Sequence, residues 1–299
     1  MKKFGKRLVL LVAILITLLF LCDFVYTQVY LHSHPRNKLQ YILKTEKRHF
    51  DVVFLGSSRV ANHIDTRLFD SLSGKRTINL GVEGAGLNDN LLELKLLLAN
   101  QNHVSNLFLQ LDANFESTNP SNISIAEAMP YTDNEIIIQH IKKYFKNERE
   151  LLYIPFYRYA LNDPKIGLRE LFFSLINKKP SNNLEIGFIP KFGNYIPAIE
   201  NSLPETIRNS NSVLDEIIAI CKAHDVKLVL FTTPYCSKTN TNGYIEKLKI
   251  KFPDLLDLST GYSDTLFYDC GHLNEKGATI LTEALYSVTR DKLKKESNR

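Results

Sequence analysis

DVVFLGSSRV, residues 51–60, ends an apolar run on a glycine that two serines follow at once. A short apolar run of this kind is typical of a strand that is buried on both faces of a parallel sheet. Ligands of such sheets bind outside the carboxyl ends of the strands. The stretch therefore predicts a buried strand that delivers Gly56, Ser57 and Ser58 to the edge of the sheet where a binding site would form.

Strand and helix patterns alternate through much of the remaining chain. The further predicted strands are 76–82, 104–112, 227–234 and an edge strand at 254–259, and the main predicted helices are 87–101, 212–226 and 275–293. Alternation of this kind indicates βαβ units. The sequence therefore predicts an α/β fold, in which a mostly parallel sheet forms the middle of a three-layer α/β/α sandwich.

Residues 115–205 interrupt this alternation. They contain helical stretches rich in Phe and Tyr, and a loop punctuated by Pro and Gly at 187–197. We expect a helical insertion here rather than a separate domain. Its aromatic side chains are expected to fill its own core. The alternatives are that they line a substrate groove or rest against a partner or the membrane surface.

The N-terminus carries an apolar segment. Residues 1–7 hold four positive charges, and residues 8–22 are apolar except for Thr17. Continued past Asp23 to Val29, the segment reaches about the 20 residues that a membrane-spanning helix needs. No small-residue cleavage site follows it, so an uncleaved signal anchor is favoured over a cleaved signal peptide. Because the positive end stays inside, we expect a single-pass protein of the cytoplasmic membrane whose domain faces the periplasm or the exterior.

These patterns predict how the chain is divided, and its charge distribution argues against nucleic acid as a partner. The predicted parts are a cytoplasmic stub and transmembrane anchor at 1–29, a stalk at 30–50, a domain at 51–293 with its insertion at about 115–205, and a charged tail at 294–299. Much of the net charge of +5 lies at the two ends of the chain rather than in a central basic stripe. Nucleic acid is therefore not a predicted partner.

The four cysteines are too few for a disulfide framework. Cys22 lies in the apolar segment, which leaves Cys221, Cys236 and Cys270. A bridge between Cys236 and Cys270 is compatible with an oxidising compartment, but unpaired thiols are the simpler interpretation. The spacing is not that of a zinc site. The sequence predicts no metal and no cofactor.

A second polar cluster lies near the C-terminus, in DCGHLNEKGA at 269–278. Asp269 precedes His272 by three residues, so its carboxylate can hold the imidazole Nδ1 while the other nitrogen faces a serine. A serine hydroxyl is a weak nucleophile that needs an adjacent base. We therefore predict Ser58 as the nucleophile, His272 as the base and Asp269 as the residue that orients the base. The alternative for Ser58 is a helix N-cap.

Two other strand ends supply candidate donors to an oxyanion. Gly84 lies in NLGVEGAG at 79–86, and Asn114 lies in LDANF at 111–115. A backbone N–H or an amide side chain at such a position can stabilise the tetrahedral intermediate of acyl transfer. Glycine and asparagine are also common turn formers, which is the alternative role for both.

Arg59 and Asp112 are candidate substrate-binding residues, because each lies at a strand end beside a predicted site residue. Arg59 would either grip an anionic substrate or pair with Asp65, and Asp112 would otherwise cap the backbone. Four other histidines show no pattern and are interpreted as surface or structural residues: His63, His103, His140 and His224.

The order Ser58, Gly84, Asn114 and Asp-x-x-His resembles the four blocks of the SGNH hydrolase superfamily, also called GDSL-like esterases and lipases. The family's Gly-Asp-Ser is Gly-Ser-Ser here, its third block keeps only the asparagine, and its last block is intact. The resemblance covers roughly residues 50–115 and 210–290. It implies a flavodoxin-like sheet and acyl transfer through a Ser-His-Asp triad.

With its predicted anchor, the chain resembles the exported group that includes the D-alanyl transfer protein and polysaccharide O-acetylation proteins. This resemblance implies a transferase or esterase of O-acyl groups, acetyl first among them, that acts on an acylated glycan of the cell envelope beside a membrane-bound O-acyltransferase. Water and a sugar hydroxyl both fit as the acceptor. The alternatives are a non-catalytic SGNH-fold scaffold of an envelope glycan modification complex and, third, a free lipase. The scaffold would be favoured if Ser58 and His272 did not approach hydrogen-bonding distance.

Overall fold

The computed structural model describes residues 2–196 and 201–294. These residues form two compact units. The first contains residues 2–40 and 122–180, and the second contains the other described residues. The helical part of the predicted insertion therefore belongs to the same unit as the N-terminal segment.

The helices and strands have the following bounds in chain order. The helices are α1 Lys2–His32, α2 Lys38–Lys44, α3 Ser58–His63, α4 Thr66–Ser73, α5 Leu87–Ala99, α6 Asn122–Ala128, α7 Glu135–Tyr144, α8 Glu148–Tyr153, α9 Tyr157–Leu161, α10 Asp163–Ile166, α11 Leu168–Leu175, α12 Ser212–Ala223, α13 Tyr244–Lys251 and α14 Glu275–Lys294. The strands are β1 His49–Leu55, β2 Thr77–Asn79, β3 His103–Gln110, β4 Asn201–Ser202, β5 Lys227–Phe231, β6 Thr239–Asn240, β7 Phe267–Asp269 and β8 His272–Leu273. Short 3₁₀ helices lie at Ala113–Glu116, Met129–Tyr131 and Asp264–Leu266.

A parallel sheet of four strands, in the order β2-β1-β3-β5, forms the centre of the second unit. The predicted α/β class with a mostly parallel sheet is confirmed. The predicted edge strand at 254–259 is reduced to a single bridge between Leu256 and Phe231. β2 is shorter than predicted, but the chain continues along β1 because the backbone N–H groups of Leu80 and Val82 donate to Phe54 O and Gly56 O.

Aromatic side chains from three neighbouring strands and one helix form the middle of the core. The ring of Phe54 on β1 lies 5.1 Å from that of Phe108 on β3 and 5.3 Å from that of Phe69 on α4. Phe231 on β5 joins them at 6.4 Å from Phe108. Helix α14 contributes apolar side chains to the same cluster and contacts α3 and α4, whereas α12 contacts α5. The core thus fixes β1 and α3 relative to α14.

Two glycines permit a close approach of backbone segments at the end of β1. A Cβ atom on Gly56 would lie 2.3 Å from Val60 Cγ2 and 2.7 Å from Gln110 Cβ. A Cβ atom on Gly81 would lie 2.5 Å from the backbone N of Ala61. Such distances are far inside van der Waals contact, so both positions require glycine. The closeness holds the start of α3 against β3 and against the loop that follows β2.

The prediction that the cysteines are unpaired is wrong for two of them. Cys236 and Cys270 form a disulfide, where unpaired thiols were the simpler interpretation of the sequence. The fold brings the loop after β5 next to the connection between β7 and β8, which places the two Cα atoms 4.7 Å apart. That proximity is a tertiary property and does not follow from a separation of 34 residues. Cys22 and Cys221 are free thiols.

Helix α1 is the longest element of the first unit. Its 31 residues are long and apolar enough to cross a membrane, and none of the residues in its most apolar 18-residue window is buried. Within the unit, α1 contacts α11 and the 3₁₀ helix Met129–Tyr131. These contacts involve the C-terminal third of α1, where Tyr30 is fully buried and its carbonyl accepts from the hydroxyl of Tyr131.

Candidate active site

Ser58, His272 and Asp269 form a continuous hydrogen-bonded chain. Ser58 Oγ lies 2.8 Å from His272 Nε2, and His272 Nδ1 lies 2.8 Å and 3.0 Å from the two carboxylate oxygens of Asp269. A carboxylate only accepts, so this pattern assigns the proton of a neutral imidazole to Nδ1 and leaves Nε2 to accept from the serine. The side chains of His272 and Asp269 remain 26% and 35% exposed, so the chain of groups is open to solvent on one side.

Ser58 owes its position to the sharp junction between β1 and α3. Ser57 is the N-cap of α3, and its Oγ accepts the backbone N–H of Arg59. Ser58 is therefore the first residue of the helix. Its own backbone N–H has no hydrogen-bond partner among the described residues, as is usual in the first turn of a helix.

Asp269 and His272 are brought together by a tight connection between two short antiparallel strands. Asp269 ends β7 and pairs with His272, which begins β8. The backbone N–H of Gly271 donates to Asp269 Oδ1 at 2.8 Å. The carboxylate is thus held from two sides, by an amide of its own turn and by the imidazole. Cys270 lies between the two residues and fastens this turn to Cys236 through the disulfide.

His63, which the sequence analysis interpreted as a surface or structural histidine, lies beside the triad. It is fully buried, and its ring lies edge-on to that of His272 with centroids 6.3 Å apart. Its Nε2 accepts the backbone N–H of Leu273 at 2.9 Å, and its Nδ1 has no hydrogen-bond partner in the described part of the chain. Burial, with smaller contributions from Arg59 and His272, holds the pKa of His63 well below its usual value. The residue is therefore a neutral imidazole that supports the turn carrying His272.

Arg59 and Asp112 pair with each other inside the protein. Arg59 Nη1 donates to Asp112 Oδ2 at 2.6 Å, and the two side chains are only 10% and 6% exposed. Arg59 also donates to the carbonyls of Thr233 and Pro234, and its guanidinium lies 3.5 Å from the ring centroid of Tyr235. Arg59 does not pair with Asp65, which instead accepts from Arg67. Neither Arg59 nor Asp112 presents its charge to solvent, and a role for them in substrate binding stays a prediction.

Gln110 connects this ion pair to the loop that carries the serine. Its Oε1 accepts from both the backbone N–H and the hydroxyl of Ser57, at 2.9 Å each. Its Nε2 donates to Asp112 Oδ2 at 2.5 Å. Ser57, the second residue after β1, is therefore held in place by the last residue of β3. No pattern in the sequence marks Gln110, because its role depends on two strands being neighbours.

The two candidate oxyanion donors lie in different surroundings. Gly84 lies in an exposed turn with φ +69°, a backbone conformation that favours glycine. Asn114 is half-buried, and its Nδ2 donates to Gln110 O while its Oδ1 accepts the backbone N–H of Asp112. An amide NH₂ carries two hydrogens, so one N–H of Asn114 remains beyond this bond. Within residues 2–196 and 201–294, neither residue is hydrogen-bonded to Ser58.

A groove lies beside the turn that carries His272. It has a volume of about 310 Å³ and is lined by residues 191–194, by Thr265 and by residues 274–276. The segment that forms one side follows the triad turn closely, because Tyr195 N donates to Tyr268 O and Glu275 N donates to Lys191 O. Two lysines, one glutamate and the exposed ring of Phe192 line this groove.

The chain matches no protein-family model, and no curated protein matches it in sequence.

Proposed function

We propose that this protein is a serine-dependent O-acyltransferase or esterase whose substrate is an acylated glycan of the cell envelope, with acetyl as the acyl group. The observation that carries the proposal is the hydrogen-bonded chain from Ser58 Oγ through His272 to Asp269. These three groups have the geometry and the order of contacts that nucleophilic acyl transfer requires.

The chemistry follows from the contacts. As Ser58 Oγ attacks the carbonyl carbon of an acyl ester, His272 Nε2 takes the hydroxyl proton and Asp269 stabilises the imidazolium. The tetrahedral intermediate collapses, the bond to the alcohol breaks, and the imidazolium gives its proton to the leaving oxygen. An acyl-serine remains. Water or a sugar hydroxyl, deprotonated by the same nitrogen, then attacks the acyl group and regenerates Ser58.

We propose three donors for the oxyanion. The backbone N–H of Ser58 is unpartnered at the start of α3 within the described residues. Gly84 N–H and the second amide hydrogen of Asn114 are the donors proposed from the sequence. Together they would supply the stabilisation that such a site needs, of which one donor commonly accounts for about 3 kcal/mol.

The fold supports membership of the SGNH hydrolase superfamily. The strand order β2-β1-β3-β5 and the parallel pairing fit a flavodoxin-like sheet. The contacts of α14 with α3 and α4, and of α12 with α5, fit helices on the two faces of a three-layer sandwich. The first three motif blocks follow β1, β2 and β3, and the last lies just before α14, which supports the resemblance.

The substrate class rests on the anchor and on the groove. A helix that can cross a membrane, α1, would hold the catalytic unit at the envelope as a single-pass protein. The groove beside His272 offers Phe192 for stacking against a sugar ring and Lys191 and Lys276 for acidic substituents. A membrane-bound O-acyltransferase is the proposed partner that delivers the acyl group.

The scaffold alternative would be favoured if Ser58 and His272 were too far apart to form a hydrogen bond. The distance of 2.8 Å between Ser58 Oγ and His272 Nε2 instead supports catalysis. The test uses the full chain in detergent, incubated with p-nitrophenyl acetate and analysed by intact mass for an acetyl adduct. A fluorophosphonate reagent, which labels serines that a neighbouring base activates, is the second probe.

We expect turnover or an adduct in the wild type and loss of both in Ser58→Ala and His272→Ala. The matched controls are Ser210→Ala and His224→Ala, which change an exposed serine and an exposed histidine outside the site and should behave as the wild type. A wild-type protein that reacts with neither reagent would contradict the proposal and favour the scaffold.

A further inference from the structure

Helix α1 contains one acidic residue, Asp23, and the first unit neutralises it. Asp23 Oδ1 accepts from Arg158 Nη2 at 2.6 Å, and Oδ2 accepts the backbone N–H of Phe156 at 2.8 Å. The side chains of Arg158 and Asp23 are only 12% and 18% exposed. An ionised carboxylate inside an apolar segment is costly unless it is paired, so α1 and the segment that begins α9 stabilise each other here.

Aromatic contacts extend this junction. The ring of Tyr26 lies 5.0 Å from that of Phe156 and 5.1 Å from that of Tyr159, whose hydroxyl is 2.7 Å from Thr27 Oγ1. Phe156 has φ +65°, which is unusual for a bulky residue. The hydrogen bond to Asp23 and the ring contacts offset that strain. The position of α9 along α1 is thus set by several specific contacts.

The junction lies at the level where a membrane-spanning α1 would leave the bilayer. A hydrocarbon core of about 30 Å accommodates about 20 residues, which reach from Leu8 to Thr27. Asp23 and Tyr26 therefore lie within the last turn and a half of that span. Whatever part of the first unit packs against them lies at the same depth.

Helix α11 contacts α1 and has an apolar face that nothing in the described chain covers. Leu168, Phe172, Leu175 and Ile176 are each more than half exposed, and their spacing places them on one face of the helix. We call these four residues the apolar patch. An exposed apolar cluster on one face of a helix indicates an interaction surface.

The other face of α11 is tied to the chain that leaves α1. Arg36 pairs with Glu170 and donates to Lys178 O, and its guanidinium lies 5.4 Å from the ring of Phe173. Exposed basic residues border the apolar patch: Lys165, Arg169, Lys178 and Lys179. An apolar face rimmed by lysine and arginine is the pattern of a helix that lies in the headgroup layer of a bilayer.

We propose that the apolar patch is a lipid-contacting surface, buried in the bilayer interface that the C-terminal end of α1 reaches. Lipid is the occupant because α11, which carries the patch, contacts α1, the helix that we propose crosses the bilayer, and because the basic rim of the patch complements anionic headgroups. The first unit is then a membrane-embedded platform rather than a single tether. This inference rests on the proposed anchoring by α1 and is independent of the acyl chemistry.

The chain has no tryptophan, so a single substitution gives a unique fluorescent reporter. Phe172→Trp places it in the apolar patch, at a side chain that is 55% exposed and leaves room for the larger ring. Leu15→Trp reports on the span of α1. Gln139→Trp, on the exposed polar face of α7 in the same unit, is the matched control. Each full-length variant is reconstituted in nanodiscs of anionic lipid, with or without bromine near the headgroup end of the acyl chains.

We expect Phe172→Trp to emit at shorter wavelength than Gln139→Trp, to lose intensity in brominated lipid and to resist quenching by aqueous iodide. Gln139→Trp should show the reverse. Quenching of Leu15→Trp by brominated lipid without quenching of Phe172→Trp would overturn the inference and leave the anchor standing. If neither variant is quenched by lipid, the anchor and the inference both fail. Protection of Phe172→Trp from lipid and iodide alike would mean that protein covers the patch, which also overturns the inference.

Discussion

His63 Nε2 accepts the backbone N–H of Leu273, so the last residue of α3 holds the residue that follows His272. Ser58 is the first residue of the same helix. One short helix therefore positions the proposed nucleophile at one end and the turn of the proposed base at the other. His63, which the sequence predicted to be a surface or structural histidine, is in this way linked to the turn of the proposed base.

Replacing His63 should slow the reaction without weakening substrate binding. His63→Ala removes the acceptor for Leu273 N–H and lets the His272 turn shift, and a shift of about 1 Å in a catalytic group costs on the order of 100-fold in rate. We expect kcat for p-nitrophenyl acetate to fall by that order while KM changes little. His63→Gln, whose amide oxygen can accept the same N–H, should recover part of the loss. A rise in KM as large as the fall in kcat, or the absence of any recovery in His63→Gln, would argue against a positioning role.

The burial of His63 should also make the protein sensitive to acid. The pKa of His63 lies well below its usual value because the folded protein desolvates the ring. Below about pH 6.5 the unfolded chain binds a proton at this residue and the folded chain does not, so stability is lost as the pH falls. Thermal unfolding midpoints of the wild type and His63→Asn should therefore diverge between about pH 8 and pH 5, with the wild type falling more steeply. Parallel curves for the two proteins would contradict this assignment.

Reduction of the disulfide should cost both stability and activity. Cys236–Cys270 closes a loop of 34 residues, and loop closure of that length is worth about 4 kcal/mol of unfolding free energy. Cys270 lies inside the turn that presents Asp269 and His272, so a reduced chain should hold that turn less firmly. We expect a lower unfolding midpoint and a lower kcat after treatment with dithiothreitol. A variant with both cysteines changed to serine should show the same properties with and without the reductant.

The ion pair of Arg59 and Asp112 should act on stability rather than on substrate affinity. Removing one partner leaves a buried charge, which typically costs about 3–5 kcal/mol. Arg67→Ala is the matched control, because Arg67 pairs with Asp65 at the surface and such a pair is worth about 1 kcal/mol or less. Urea unfolding of Arg59→Ala, Asp112→Asn and Arg67→Ala measures the difference. If Arg59→Ala kept wild-type stability and raised KM for an anionic substrate, the substrate-binding role would be favoured instead.

The parts of the molecule that sequence patterns predict are those that depend on neighbours in the chain. The apolar run of β1, the turn at Gly56 and the spacing of Asp269 and His272 are local features, and the parallel sheet that they indicated is present. The brace at Gln110 and the support from His63 depend on contacts between segments more than 50 residues apart. A lone glutamine or histidine carries no local pattern that reports such a contact.

The disulfide and the edge strand show the same division. Tertiary packing decides whether two cysteines meet. With three cysteines outside the apolar segment, the sequence did not indicate that two of them pair. The run at 254–259 has the composition of a strand, but only Leu256 bridges to β5, since the backbone N–H of Leu258 donates to the side-chain hydroxyl of Thr232 instead of to a strand carbonyl. Composition indicated a candidate strand, and the hydrogen bonds that its backbone forms with side chains kept it from pairing along its length.

The close contacts at Gly56 and Gly81 have a consequence for the evolution and redesign of the proposed enzyme. A side chain at either position would clash with its neighbours, so these two positions around the start of α3 cannot be varied. Selectivity among acyl groups or glycans therefore has to depend on the side chains that line the groove. The segment 191–195, with Phe192 and Tyr195 exposed to solvent, is where new specificities would be introduced.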